Sequence, residues 1–271
     1  MDLTTELPPA AIGPAAIKTR LPGNAVTIAA FLGGAMLLIA VLSFALPYNS
    51  VPALFLLDHG TGSIFEATYP VTIQNGLHLL SAYGAAQLFI RWRRVKFERA
   101  YQAMHLLPED DQTVLVLADL GPLRRRIHPL VKSGAAVPVL IDAATLQASI
   151  SRSLEQVSTV VNSKLELMSH RLDLDYQTIR YIAWLIPTIG FVGTVVGIAS
   201  ALGGITDPNN LQLTRITAGL GIAFYTTILA LLESAVIVLL QNTIQRQEEL
   251  CLNAAADYCL TNLINRLYLA G

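Results

Sequence analysis

Residues 182–204 read IAWLIPTIGFVGTVVGIASALGG, and within this stretch Gly190, Thr194, Gly197 and Ala201 recur at steps of four, three and four. That spacing lays small side chains along one face of a helix, and Gly193 with Gly197 adds a GxxxG step. The stretch sits inside 26 uncharged residues between Arg180 and Asp207. A helix needs about 20 mostly apolar residues to cross the ~30 Å hydrocarbon layer, so this window holds one span. Three more windows flank it: 37 uncharged residues between Arg20 and Asp58, 24 between Glu66 and Arg91, and 30 residues between Arg215 and Arg246 whose one charge is Glu233. They predict transmembrane helices over 25–47, 69–90, 181–203 and 216–241. The second carries Gln74, Asn75 and His78 in its first half, which leaves a re-entrant helix open there.

Composition points the same way. Of 271 residues 53% are apolar and 14% charged, against the roughly 25% charged of soluble domains. The balance of 18 Lys+Arg against 19 Asp+Glu excludes the basic excess of a nucleic-acid binder. Thirteen of the basic residues fall in 91–180 and none in 48–68, so the positive-inside bias puts both termini and the central segment in the cytoplasm. The run Arg91, Arg93, Arg94, Lys96, Arg99 is its strongest element. The expected fold is therefore an all-α polytopic membrane protein, four transmembrane helices with a helical cytoplasmic segment between spans 2 and 3. Its divisions are a cytoplasmic N-terminal segment (1–24), a transmembrane hairpin (25–90), the cytoplasmic segment (91–180), a core of spans 3 and 4 (181–241) and a cytoplasmic C-terminal helix (242–271).

Residues 1–24 hold Asp2, Glu6 and four prolines, unlike the basic tip of a secretory signal, so the first span is expected to be retained. Cys251 and Cys259 fall in the cytoplasmic tail, where thiols stay reduced, and no disulfide is expected. Breaks are expected near Pro108, across Gly121–Pro122 and over Ser133–Pro138. After Asp142 an apolar stripe (Ile150, Leu154, Val157, Val161, Leu165, Met168, Leu172, Ile179, Ile182) predicts one long helix running into span 3. It packs either within the subunit or on a neighbouring copy. The Arg124–Arg126 triplet and the Glu109–Asp111 cluster read as solvated faces or a docking patch. No phosphate loop, metal-ligand spacing or nucleophile with a base is present, so neither an enzyme nor a cofactor or metal site is expected.

Span 4 repeats the small-residue device with Gly219, Ala223, Thr227, Ala230 and Ser234 at steps of four, four, three and four. Gly190, Gly193, Gly197, Gly219 and Ala223 read as helix-packing positions. Thr194, Thr226 and Thr227 either bond back to their own helix carbonyls or line a water-holding path. His78 reads as a hydrogen-bonded packing residue or part of a proton path. Glu233 is a functional-site hypothesis by default, as any carboxylate at membrane depth is.

The segment Pro187-Thr-Ile-Gly-Phe-Val-Gly-Thr-Val-Val-Gly-Ile198 resembles the third-helix motif P-x-x-G-x-x-G-T-V-x-G-I of the MotA/TolQ/ExbB proton-channel family. Residues Gly219 to Leu231 resemble its companion G-I-x-x-A-L-x-x-T-x-x-G-L, with Asn242 at the polar closing position. The match spans about 60 residues, and the two-plus-two arrangement of spans is MotA-like. The resemblance implies a stator subunit of a bacterial inner-membrane motor driven by ions, protons by this likeness, which couples their flow to mechanical work. It implies a homo-oligomer, a pentamer, around two copies of a single-span MotB/TolR/ExbD-like partner whose membrane Asp carries the proton. It places Thr194 and Thr227 on the pore and makes Pro187 the residue that shapes the third helix near the ion path. Two departures are Ile222, where the TolQ and ExbB branches carry Glu, and Val236, where they carry Pro. Glu233 lies eleven residues after Ile222 on nearly the same face, as a relocated proton relay or as half of an ion pair at a subunit interface. The competing expectation is a non-conducting membrane scaffold or transport-complex subunit of the same fold.

Overall fold

The computed structural model describes residues 23–60, 66–110, 112–203 and 213–268. Most of the N-terminal segment 1–24, the connector residues 204–212 and Asp111 lie outside them. The described chain is all-α apart from two two-residue strands: α1 (Asn24–Ala45), α2 (Val51–Leu57), α3 (Ile73–Gln102), β1 (Leu115–Val116), α4 (Leu117–Val131), α5 (Ala136–Ser151), α6 (Leu154–Gly203), α7 (Leu213–Asn262) and β2 (Leu267–Tyr268). Two compact units form. One gathers Pro22–Ile90 and Tyr176–Thr243, and the other draws on Arg91–Asp175 and Ile244–Gly271.

The first unit is apolar on its outside. Phe44 of α1 is 93% exposed, and Met36, Leu37, Phe191, Val195, Leu231 and Leu239 also face outward. Water would penalise such a surface, whereas lipid accepts it, and helices that satisfy their own backbone are what a bilayer tolerates. Among the described residues three helices are long and apolar enough to cross a membrane, Asn24–Ala45, Leu154–Gly203 and Gly219–Arg266. The second apolar window lies in α3, which is not one of the three, because Gln74, Asn75 and His78 dilute its first half. Those side chains turn inward. Gln74 is 0% and Asn75 4% exposed.

Local hydrogen bonds fix where α2 and α3 begin. Ser50 Oγ accepts from the backbone N–H of Ala53 at 3.3 Å, and Pro52 occupies the first turn, where its missing N–H costs nothing. Thr72 does the same for α3: its Oγ1 accepts from the Asn75 N–H at 3.1 Å and donates to the Leu57 carbonyl at 3.0 Å. One buried hydroxyl thus caps α3 and ties it to the end of α2.

The second unit has a conventional core. Leu120, Leu123 and Ile127 of α4 pack with Leu140, Ile141 and Ala144 of α5, Val157 and Val161 of α6, and Ala255 and Cys259 of α7. β1 and β2 pair in parallel, Leu115 opposite Leu267. Both cysteines are free and buried, and burial pushes the Cys259 thiol up to about 12.

Two expectations are corrected here. The helix expected from Asp142 onward is broken at Arg152, which takes a left-handed φ of 51° and closes α5. The signal was present: Ser153 precedes Leu-Glu-Gln, a capping-box pattern, and the Gln156 N–H reaches Ser153 Oγ at 3.5 Å. Ile150 and Leu154 are exposed as a result, and the stripe begins at Val157, packing from there to Met168 inside the same chain. Conversely, Gly121–Pro122 does not break α4. Pro122 removes only the bond to the Ala118 carbonyl, on an exposed residue that water can satisfy.

Candidate functional site

The second half of α6 and the first half of α7 run antiparallel with their backbones in close approach. Gly190 meets Ala230, Gly193 meets Thr226, Gly197 meets Ala223, and Gly219 meets Ala201. Ascending numbers on one helix thus face descending numbers on the other. A Cβ on Gly197 would lie 2.7 Å from Ala223 Cβ, and one on Gly193 2.9 Å from Thr226 Oγ1. Larger side chains at these positions would part the helices.

That approach brings three hydroxyls together between two stretches, 181–206 and 216–232, that carry no Asp, Glu, Lys or Arg. Thr194 Oγ1 donates to the Ala223 carbonyl at 3.0 Å and touches Thr227 Oγ1. Thr227 Oγ1 also lies within donating reach of the Gly190 carbonyl across the pair, at 3.1 Å, and Thr226 Oγ1 donates to the Ala223 carbonyl at 2.7 Å. Thr226 is 3% exposed, whereas Thr194 and Thr227 remain half-buried. The cross-helix bonds go beyond the back-bonding that local reasoning considered.

Pro187 lies in the middle of α6. Without an N–H it leaves the Ala183 carbonyl, four residues earlier, without its helical donor. Ser234 of α7 supplies one: its Oγ donates to that carbonyl at 2.8 Å from a buried position. Sequence reading counted Ser234 among the small residues and missed this role. Ser234→Ala is expected to cost about 1–3 kcal/mol, the penalty of an unpaired buried carbonyl. In a Pro187→Ala background, where residue 187 has its own N–H, the cost should fall below half of that. Thermal unfolding of the four proteins checks it.

Glu233, expected either as a relay or as half of an ion pair between subunits, finds its partner within its own chain. Its Oε1 lies 2.5 Å from His78 Nδ1, and Ser81 Oγ donates to Oε2. His78 Nε2 lies 2.8 Å from the Leu56 carbonyl. His78 and Glu233 are each the one ionisable side chain, tyrosines aside, of their apolar window. That shared isolation could have suggested the pair. Ile222 and Val236 are apolar, the first buried and the second exposed.

A family model described as the MotA/TolQ/ExbB proton channel family matches residues 135–255. The match takes in α5, the whole of α6 and α7 as far as Ala255, and therefore the glycine contacts, the three threonines, Pro187 and Glu233. No curated protein matches the chain.

Proposed function

The chain belongs to the MotA/TolQ/ExbB proton channel family, and from that premise we propose that it is the ring-forming stator subunit of a proton-driven motor in a bacterial inner membrane. Several copies, five by family likeness, surround a single-span partner of the MotB/TolR/ExbD type whose membrane carboxylate binds and releases the proton. The observation that carries this reading is the hydroxyl cluster of Thr194, Thr226 and Thr227 in an otherwise apolar helix pair. A carboxylate at that depth is costly unless hydroxyls or water receive it, and the half-buried Thr194 and Thr227 can offer both. Pro187, whose missing N–H leaves the Ala183 carbonyl to Ser234, shapes α6 just before the cluster. Protonation removes the partner's charge and lets the two assemblies move past each other. The membrane potential supplies about 2.3 kcal/mol per proton per 100 mV.

The reading includes four spans, with both termini and residues 91–180 cytoplasmic. Inward-turned Gln74, Asn75 and His78 support α3 as a crossing helix, since polar side chains at membrane depth face the interior of a bundle. Gly190, Gly193, Gly197, Gly219 and Ala223 serve as the close-packing positions that hold the two pore helices together.

Thr227→Val, nearly isosteric, is expected to lower proton flux at least tenfold in liposomes containing the chain with its co-purified single-span partner. Thr194→Val should do the same. Unchanged flux in both overturns the pore reading. The second reading, a non-conducting scaffold of the same fold, draws support from the fact that all three hydroxyls have partners inside the chain. Under it the same variants lower the unfolding temperature and wild-type liposomes carry no flux.

A further inference from the structure

The geometry around His78 fixes the position of one proton. The Leu56 carbonyl can only accept, so the Nε2 facing it at 2.8 Å carries a hydrogen. In a neutral ring Nδ1 is then a bare lone pair. A bare nitrogen and an ionised carboxylate oxygen, both acceptors, repel at 2.5 Å. A hydrogen therefore lies between them, either on an imidazolium facing a carboxylate or on a carboxylic acid facing a neutral ring. In both forms the pair is neutral as a whole and holds one proton that it can exchange. Ser81 donates to the second carboxyl oxygen, which fixes the orientation of the group.

A cavity of about 510 Å³ opens over the pair, lined by Phe31, Gly34 and Leu38 of α1, His78 and Ser81 of α3, and Glu233 of α7 among others. Among the described residues no other Asp, Glu, Lys, Arg or His lines it. The Leu56 carbonyl is the polar group that the end of α2 presents to the ring. One turn before His78, on the same face of α3, Gln74 is 0% exposed and neither its Oε1 nor its Nε2 has a hydrogen-bond partner. A fully buried amide with both ends open is a position for ordered water, which normally satisfies such groups. Gln74, His78 and Ser81 are spaced by four and three residues, so a polar stripe of about 10 Å leads along α3 to the pair.

We propose that His78 and Glu233 form a one-proton binding site inside each subunit, supplied by water along the Gln74 face of α3 and separate from the threonine cluster of α6 and α7. His78 and Gln74 lie outside the segment that the family model matches. Neutrality makes the site one-in, one-out: gaining a second proton or losing the first leaves a net charge among mostly apolar side chains, so uptake on one side is coupled to release on the other. Proton binding stands on the geometry alone. Its use in transport rests on the stator reading above.

The test needs no transport. Full-length chain with ¹⁵N-labelled histidine, in lipid nanodiscs, is examined by NMR across a pH series, with carboxyl infrared difference spectra in parallel. The expected wild-type result is a His78 ring whose Nδ1 is protonated or accepts a strong hydrogen bond, changing state together with one carboxyl group. Glu233→Gln and His78→Gln should each abolish that joint titration or move it by at least one pH unit, a tenfold change in proton affinity. The exchange of the two residues, His78→Glu with Glu233→His, should restore it. A wild-type ring with a free Nδ1 beside an independently ionised carboxylate overturns the proposal even if no variant folds. So does a titration that follows sodium concentration at constant ionic strength, which would assign the site to a metal cation. Failure here leaves the pore reading standing, and unchanged flux in the threonine variants leaves this site standing.

Discussion

Gly197→Leu is expected to abolish the close approach of α6 and α7 and to cost about 3 kcal/mol or more of folding free energy. The new Cβ would stand 2.7 Å from Ala223 Cβ and 3.1 Å from Ala223 Cα. Backbone cannot retreat as a flexible side-chain tip can, and overpacking of a close contact commonly costs about 1–3 kcal/mol even in cores that relax. In lipid the loss weighs further, because packing is the main force that holds helices together there. Separation of the helices would also draw Thr194 away from the Ala223 carbonyl and Thr227 from the Gly190 carbonyl, so stability and flux should fall together. Gly221 is the control: among the described residues nothing beyond its chain neighbours and its own helix backbone lies within 4 Å of a Cβ built there, and Gly221→Ala should be neutral or gain up to about 1 kcal/mol from helix propensity. Unfolding in mixed detergent micelles reads both. Equal behaviour of the two variants would show that the contact at Gly197 does not hold the pair.

The other large effect is expected at Arg91. Its guanidinium grips Glu248 through Nε, 3.1 Å from Oε2, and through a second nitrogen on Oε1, and it reaches Asp175 at 2.7 Å. The Glu248 side chain is 7% exposed and that of Arg91 16%. Removal of one partner strands a buried charge, which costs about 3–5 kcal/mol, so Arg91→Ala should lower the unfolding midpoint sharply. Arg91→Lys should recover little, since an ammonium cannot make the two-pronged contact. The double variant with Glu248→Leu should recover most of the loss, because the stranded carboxylate is then gone. Denaturant unfolding of the two single variants and the double one forms the cycle that measures the coupling. A cost below 1 kcal/mol for Arg91→Ala would mean that the pair is effectively solvated.

The limits of sequence reading lie in distance along the chain. The apolar windows and the small-residue faces were legible because each is a local pattern, a run length for the lipid and a helical step for packing. The break at Arg152 has no Gly or Pro to announce it: the chain ends α5 on a left-handed arginine and starts α6 with a serine cap. Arg91 read as a topological charge, and nothing within a turn of it announced Glu248. His78 and Glu233 are 155 residues apart, and each alone looked like an odd polar group in an apolar run. Ser234 and Pro187 were both singled out, for other reasons. Their relation appears only when α7 lays a hydroxyl against the carbonyl that a proline has left open.

The threonine pair has a further property. From the Gly190 oxygen through Thr227 and Thr194 to the Ala223 oxygen runs a chain of three links with two hydroxyl hydrogens to fill them. One link is therefore always vacant, and both ends are oxygens that can only accept. Rotating a single hydroxyl moves the vacancy by one place with no displacement of a heavy atom. With the vacancy in the middle the two touching oxygens would face each other bare, so the favoured orderings keep a hydrogen between Thr194 and Thr227 and leave one end carbonyl open, and a charge brought to either end can choose between them faster than any helix could shift.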